Sequence, residues 1–128
     1  MAKMERYGGN QNCIIVEPEI FSFPNDESLD FVLIGSDGIF DRIGTEETAQ
    51  IVLDEARLSI ENLKVSQRQN QGKFEYVARS VGNSVDRVMN EAMEKESMDN
   101  LSVVILSFSN FTRYIESIEP QQGIGSSH

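Results

Sequence analysis

The sequence predicts an α+β domain built on an antiparallel sheet with a pair of antiparallel helices packed against it. An apolar run, "FVLIG" at 31–35, is followed by two long stretches whose apolar residues recur at helical spacing, and a second apolar run, "LSVVILSF" at 101–108, closes the pattern. If the two helices form a short-loop hairpin, the order strand, helix, helix, strand returns the last strand antiparallel to the first. The 128 residues suffice for one domain with a sizeable core, and no internal repeat divides them.

Composition narrows the class. Eleven basic residues against twenty-one acidic ones give a formal charge of −10, the opposite of what a nucleic-acid-binding surface needs to neutralise phosphates. No apolar run approaches the ~20 residues of a membrane span. The opening "MAKMERYGGNQ" lacks the apolar core of a signal peptide. The single cysteine, Cys13, has no internal partner and sits beside Ile14, Ile15 and Val16, so it reads as a small strand or core residue. No Cys/His cluster suggests zinc, and the expected compartment is the cytoplasm.

Along the chain, residues 1–12 are a polar, glycine-bearing lead-in. "CIIVEPEIFSF" (13–23) reads as extended, with Pro18 placing it at a strand start or sheet edge. "PNDESLD" (24–30) is rich in turn formers. The strand at 31–35 is apolar without alternation and is expected to be covered on both faces. A helix follows: Thr45 can cap it, Glu46 and Glu47 suit the positive end of its dipole, and Ala49, Val52, Leu53, Ala56, Ile60 and Leu63 form its stripe. "KVSQRQNQGK" (64–73) is a polar loop. The second helix carries Phe74, Val77, Ala78, Val81, Val85, Val88, Met89 and Ala92; Gly82 within it costs ~1 kcal/mol relative to alanine and marks close packing on a neighbour. "MDN" (98–100) stops the pattern before the final strand. The domain is therefore expected over 1–110, with 111–128 a disordered polar tail.

The strand order has a chemical consequence. If the first strand runs up to end at Asp37, the last begins at the same edge, just after Asp99. Two carboxylates with no basic residue beside them in that arrangement repel unless a cation lies between them, and hard oxygen ligands suit magnesium, manganese or calcium. Gly38 lets backbone come close to such an ion, and Asn100 can orient Asp99 or hold a ligand's water. A plainer reading stands beside this one. Asp-Gly is also a turn signal, Asp99-Asn100 a polar cap between helix and strand, and Asp41 a cap or ion-pair partner rather than a ligand.

The motifs in order resemble a known family. "DFVLIGSDGIFD", two helices, then "SMDNLSVVILSF" are similar to the C-terminal half of the type 2C metal-dependent serine/threonine protein phosphatases, and "YGGNQNCIIVEPEIFSF" resembles the segment that precedes this strand in them. The resemblance covers roughly residues 3–108. It implies that Asp37 and Asp99 are metal ligands, with Gly38 and Asn100 supporting them from behind, in a site for two Mg2+ or Mn2+ ions. It implies a fold in which two antiparallel sheets pack together between outer layers of antiparallel helices, an α-β-β-α sandwich of which the helical hairpin here is one layer. The implied reaction is metal-dependent hydrolysis of phosphoserine or phosphothreonine in a phosphorylated protein substrate.

The departures matter as much. The family's phosphate-binding arginine, its Met-Glu-Asp motif, its Asp-Gly-His-Gly-Gly motif and its Ser-Arg-Ala-x-Gly-Asp segment are not in this sequence. The one histidine, His128, reads as a tail residue rather than a general acid. Arg42 is the nearest arginine to Asp37, but in a polar loop it reads as solvated. No residue is assigned a direct catalytic role, and the chain is expected to be a partial domain, inactive alone. With half a sandwich, a strand such as 101–108 keeps one apolar face open, a surface for association with another chain. The alternative is a non-catalytic binding or regulatory module on the same scaffold.

Overall fold

The computed structural model describes residues 15–63 and 72–118. Its elements run β1 (Phe31–Gly35), α1 (Asp37–Phe40), α2 (Thr45–Glu61), α3 (Lys73–Glu94), β2 (Val103–Ser107) and α4 (Ser109–Ser117). The two strands form one antiparallel ladder in which Phe31 lies opposite Ser107 and Gly35 opposite Val103. Alternation along both strands splits the sheet into two faces. Phe31, Leu33, Val103 and Ile105 turn toward the helices and are half-buried. Val32, Ile34, Val104 and Leu106 point the other way and are exposed. The unalternating composition of β1 therefore does not mean cover on both faces here: among the described residues its outer face is open.

The helices supply the core. Val52, Ala56 and Ile60 of α2 meet Val77, Val88 and Ala92 of α3, all buried. Hydrogen bonds across the pair show that the two run antiparallel: Ser84 Oγ donates to Val52 O and Ser80 Oγ to Ala56 O, each at 3.3 Å. These serines are fully buried and lie at i, i+4 on the seam, so α3 is rotated from the expected stripe. Phe74 and Ala78 face solvent, and Tyr76, Ser80 and Ser84 take buried positions. A hydroxyl satisfied by a carbonyl one helix away is tolerated where an unpaired one would not be. Gly82 is exposed, with open space around the position of a Cβ, so it does not mark close packing.

Three further expectations change. Residues 15–25 form no strand, and Ile15, Val16, Ile20, Phe21 and Phe23 are exposed; a run containing Pro18 and two glutamates finds no partner ladder among the described residues. Cys13 lies outside them. Thr45 is not the cap of α2 but its first residue; Gly44 precedes the helix, and its carbonyl accepts from Thr48 Oγ1 at 2.9 Å. The polar tail expected after Asn110 is helical through Ser117. Its Phe111 and Ile115 are fully buried at i, i+4, and the Phe111 ring meets Phe31 edge-on with centroids 5.5 Å apart. Residues 119–128 of that tail lie outside the described residues.

Candidate functional site

The antiparallel register brings the end of β1 and the approach to β2 to one edge of the sheet. Ser36 N donates to Ser102 O at 3.0 Å, extending the ladder one step past the strands. The Ser36 hydroxyl then works in both directions, donating to Asn100 O at 3.0 Å and accepting from Ser102 N at 3.1 Å. Next to it, α1 begins at Asp37, and its Gly38 is buried against the incoming chain. A Cβ at Gly38 would fall 2.5 Å from Asn100 O and 3.1 Å from Leu101 Cδ2, so only glycine fits without displacing backbone. The Gly38 carbonyl in turn accepts from Ser97 Oγ at 2.9 Å.

Ser97 is aimed there by the way α3 ends. Glu96 adopts a positive φ of 60°, Glu96 N donates to Met93 O, and Ser97 N to Ala92 O, both at 3.0 Å. That bond pair is a Schellman cap, usually built with glycine at the left-handed position. It turns the chain out of α3 and sends residues 97–100 across α1.

Asp37 and Asp99 are thereby held at one edge by backbone contacts between their neighbours, and both are exposed. Asp99 Oδ1 accepts from Asn100 N at 2.8 Å, so Asn100 steadies this carboxylate through its backbone rather than its side-chain amide. Neither acid makes an ion pair with a lysine or arginine among the described residues. Asp41 closes α1 by donating its backbone N–H to Asp37 O at 2.8 Å, and its carboxylate likewise has no ion-pair partner there. A depression of about 430 Å³ is lined by Gly38, Asp41, Arg42, Ser97, Met98 and Asp99; Asp37 is not part of that lining. One of equal volume lies beside Phe74, Val77, Ser107, Phe108, Ser109 and Thr112, but with no acidic or basic side chain in its lining it offers little for polar chemistry.

Comparison with known proteins decides the family. The model of protein phosphatase 2C matches residues 3–101, a span that takes in Asp37, Gly38, Asp99 and Asn100. The chain belongs to the protein phosphatase 2C family. Among curated relatives, a "Protein phosphatase 1B" of Mus musculus is 27% identical over 109 residues, covering 85% of this chain and 23% of that protein. Proteins of the same name from Bos taurus and Homo sapiens are each 25% identical over 103 residues, covering 80% of this chain and 17% and 18% of their own lengths. The chain thus spans about a fifth of the length of the curated relatives it matches. No solved structure matches it.

Among the described residues no three or more Asp, Glu, His or Cys side chains converge in a way that could hold a metal ion. Two carboxylates with free lone pairs suit an ion such as Mg2+, which keeps several waters and takes one or two protein carboxylates. Ser36, Ser97 and Met98 were not visible as site residues in the sequence. A serine ahead of Asp-Gly at a strand end was a usable signal for Ser36, since that is where a helix start is expected. Among the described residues no helix is long and apolar enough to cross a membrane.

Proposed function

We propose that this chain is one part of a metal-dependent protein serine/threonine phosphatase, with Asp37 and Asp99 as ligands of Mg2+ or Mn2+ and Gly38 and Asn100 holding them in place. The observation that carries this reading is the contact between residues 64 positions apart, Ser36 Oγ to Asn100 O, beside the glycine that admits no side chain. The fold spends tight backbone packing on bringing two otherwise unrelated acids to one edge. A bound divalent ion would supply positive charge to a phosphoryl group and lower the pKa of a coordinated water. The chain's own residues do something simpler. Asp37 and Asp99 accept the ion, the Ser36 hydroxyl fixes the backbone between them, and Asn100 N keeps the Asp99 carboxylate turned outward.

In this reading the open sheet face is the inner surface of an α-β-β-α sandwich, and the groups that complete the site lie outside these 128 residues, so the chain alone is inactive toward phosphoserine and phosphothreonine proteins. The test is a calorimetric manganese titration of the chain and of its Asp37→Asn and Asp99→Asn variants, with circular dichroism to confirm folding. Saturable binding that either substitution weakens by at least about tenfold, the lower end of what losing even an outer-shell partner of a ligand costs, is the expected result. Binding that survives both substitutions unchanged, or no binding in a folded chain, would defeat the proposal. Capture of a phosphopeptide without any metal requirement would favour a binding module instead.

A further inference from the structure

One edge of β1 has no partner. Asp30 O accepts from Phe108 N and Ser36 N donates to Ser102 O, so the backbone groups of the even-numbered positions along the strand face β2. Those of Phe31, Leu33 and Gly35 face the other way, and among the described residues no strand lies along that side. An unpaired edge is a template for a further strand. Beside it is a depression of about 150 Å³ lined by Phe31, Leu33, Phe40, Thr45, Thr48 and Ala49. No residue of β2 or α3 is in that lining, so the depression opens on the free side of β1. An apolar space of this order holds a benzene ring.

The stretch that leads into β1 matches this edge in turn, side chains and prolines. Leu29 N donates to Asp26 O at 3.1 Å, and Asp26 Oδ1 accepts from Ser28 N at 2.8 Å and from Ser28 Oγ at 2.6 Å, a turn that lets residues 19–23 run back antiparallel to 31–35. Phe21 and Phe23 are 74% and 80% exposed. Set opposite Leu33 and Phe31, both rings fall on the helix side of the sheet, where the depression lies. In that pairing Pro24 and Pro18 stand opposite Asp30 and Ser36, whose backbone groups are turned to β2, so neither proline is asked for the N–H it lacks. A shift of one residue in either direction turns both rings away from the depression and sets a proline opposite Phe31 or Gly35, where a donor is wanted. A shift of two that sets Phe21 opposite Gly35 meets Phe40, whose Cε2 already lies 3.0 Å from where a Gly35 Cβ would be.

We propose that the free edge of β1 is a docking site for residues 19–23 of this same chain, a strap that closes as a third strand with Phe23 opposite Phe31 and Phe21 opposite Leu33. Main-chain hydrogen bonds to Phe31, Leu33 and Gly35 hold the strap, and the depression selects its alternate side chains. Tethering sets the occupant: only residues 24–30 separate the strap from β1, so it is presented at an effective concentration that a separate peptide does not match. Closure also places Ile20 opposite Ile34, which widens the open apolar face by one strand. The strap's docking is independent of whether Asp37 and Asp99 take up a metal ion.

The test follows backbone amide exchange by NMR in the full chain and in Phe21→Ser/Phe23→Ser, which alters only exposed side chains. In the wild type the Leu33 and Gly35 amides are expected to be protected, and the double substitution to speed their exchange by about tenfold or more, while Val32 and Ile34, which face β2, keep their protection. A disulfide trap fixes the register in a Cys13→Ser background. Ser22→Cys/Val32→Cys joins a non-hydrogen-bonded pair with Cα atoms about 4.5 Å apart, within the reach of a disulfide, and should close within one chain. Ser22→Cys/Leu33→Cys, whose side chains fall on opposite faces, should not. A Leu33 amide that exchanges freely in the wild type, or one whose protection survives the double substitution, overturns the proposal. So does a disulfide that forms between two chains rather than within one, since the occupant is then a second copy.

Discussion

Replacing Gly38 with alanine tests the geometry of the site directly. The new Cβ would lie 2.5 Å from Asn100 O, whereas ordinary contact begins near 3.4 Å, so about 0.9 Å of movement is required. The atom that must yield is a backbone carbonyl, and it already accepts the Ser36 hydroxyl at 3.0 Å. Overpacking of this kind costs ~1–3 kcal/mol. The gain from alanine's helix propensity is at most ~1 kcal/mol and is smaller in α1, a single turn. The net loss is about 1–2 kcal/mol, or roughly 4–8 °C in Tm for a chain of this size. Gly82→Ala is the matched control: it lies within α3 with nothing inside 4 Å of its Cβ, and it should raise Tm by about 4 °C. Thermal melts of both variants by circular dichroism provide the assay. If Gly38→Ala melts at or above the wild type, the close approach of α1 to Asn100 is wrong. A manganese affinity unchanged in a destabilised Gly38→Ala would break the link drawn between that approach and the placing of Asp99.

Glu96→Gly should stabilise the chain by about 1 kcal/mol, because glycine takes the left-handed position of the α3 cap without strain; a denaturant midpoint lower than wild type would contradict this. Phe111→Ala should cost about 3–5 kcal/mol, the usual range for a fully buried ring, and a loss below about 1 kcal/mol in urea melts would mean α4 is not part of the core. The Asp26 carboxyl is held below its ordinary pKa, first by the Ser28 hydroxyl and then by the Ser28 N–H. A depressed folded pKa stabilises the turn at pH above the unfolded value of about 3.9 and loses that effect as pH falls through the folded one. Ser28→Ala should therefore raise the Asp26 pKa in an NMR titration.

The strands, the two long helices and the shared edge of Asp37 and Asp99 were legible because they follow from periodicity and element order. What escaped was set by single contacts. Periodicity places Phe74 in the α3 stripe and leaves out Ser80 and Ser84, since a serine enters a core only when a particular carbonyl, here Ala56 O or Val52 O, is waiting for it. The Schellman cap was hidden because Glu96 occupies the place where a glycine would have announced it. The α4 helix was obscured by "SNFTRYIES", in which two buried residues, Phe111 and Ile115, are surrounded by polar ones. Its short stripe becomes meaningful only when Phe31 is nearby to receive it.

These contacts also tie the chain around Asp37 and Asp99 without using either carboxylate. On the proposed reading Asp37 and Asp99 share a cation, and two bare carboxylates brought close together without one repel. Their backbones, by contrast, are tied by neutral groups that need no ion: the Ser36 hydroxyl serves Asn100 O and Ser102 N on either side of Leu101, and Ser97 Oγ reaches Gly38 O. The geometry is thus carried by hydrogen bonds of ordinary strength, each ~1 kcal/mol, in which neither carboxylate takes part. Ser36→Ala separates the two roles. It removes the hydroxyl's donor and acceptor contacts without altering either carboxylate, so weaker manganese binding in that variant, with both aspartates intact, would show that affinity depends on backbone placement as well as on the ligands themselves.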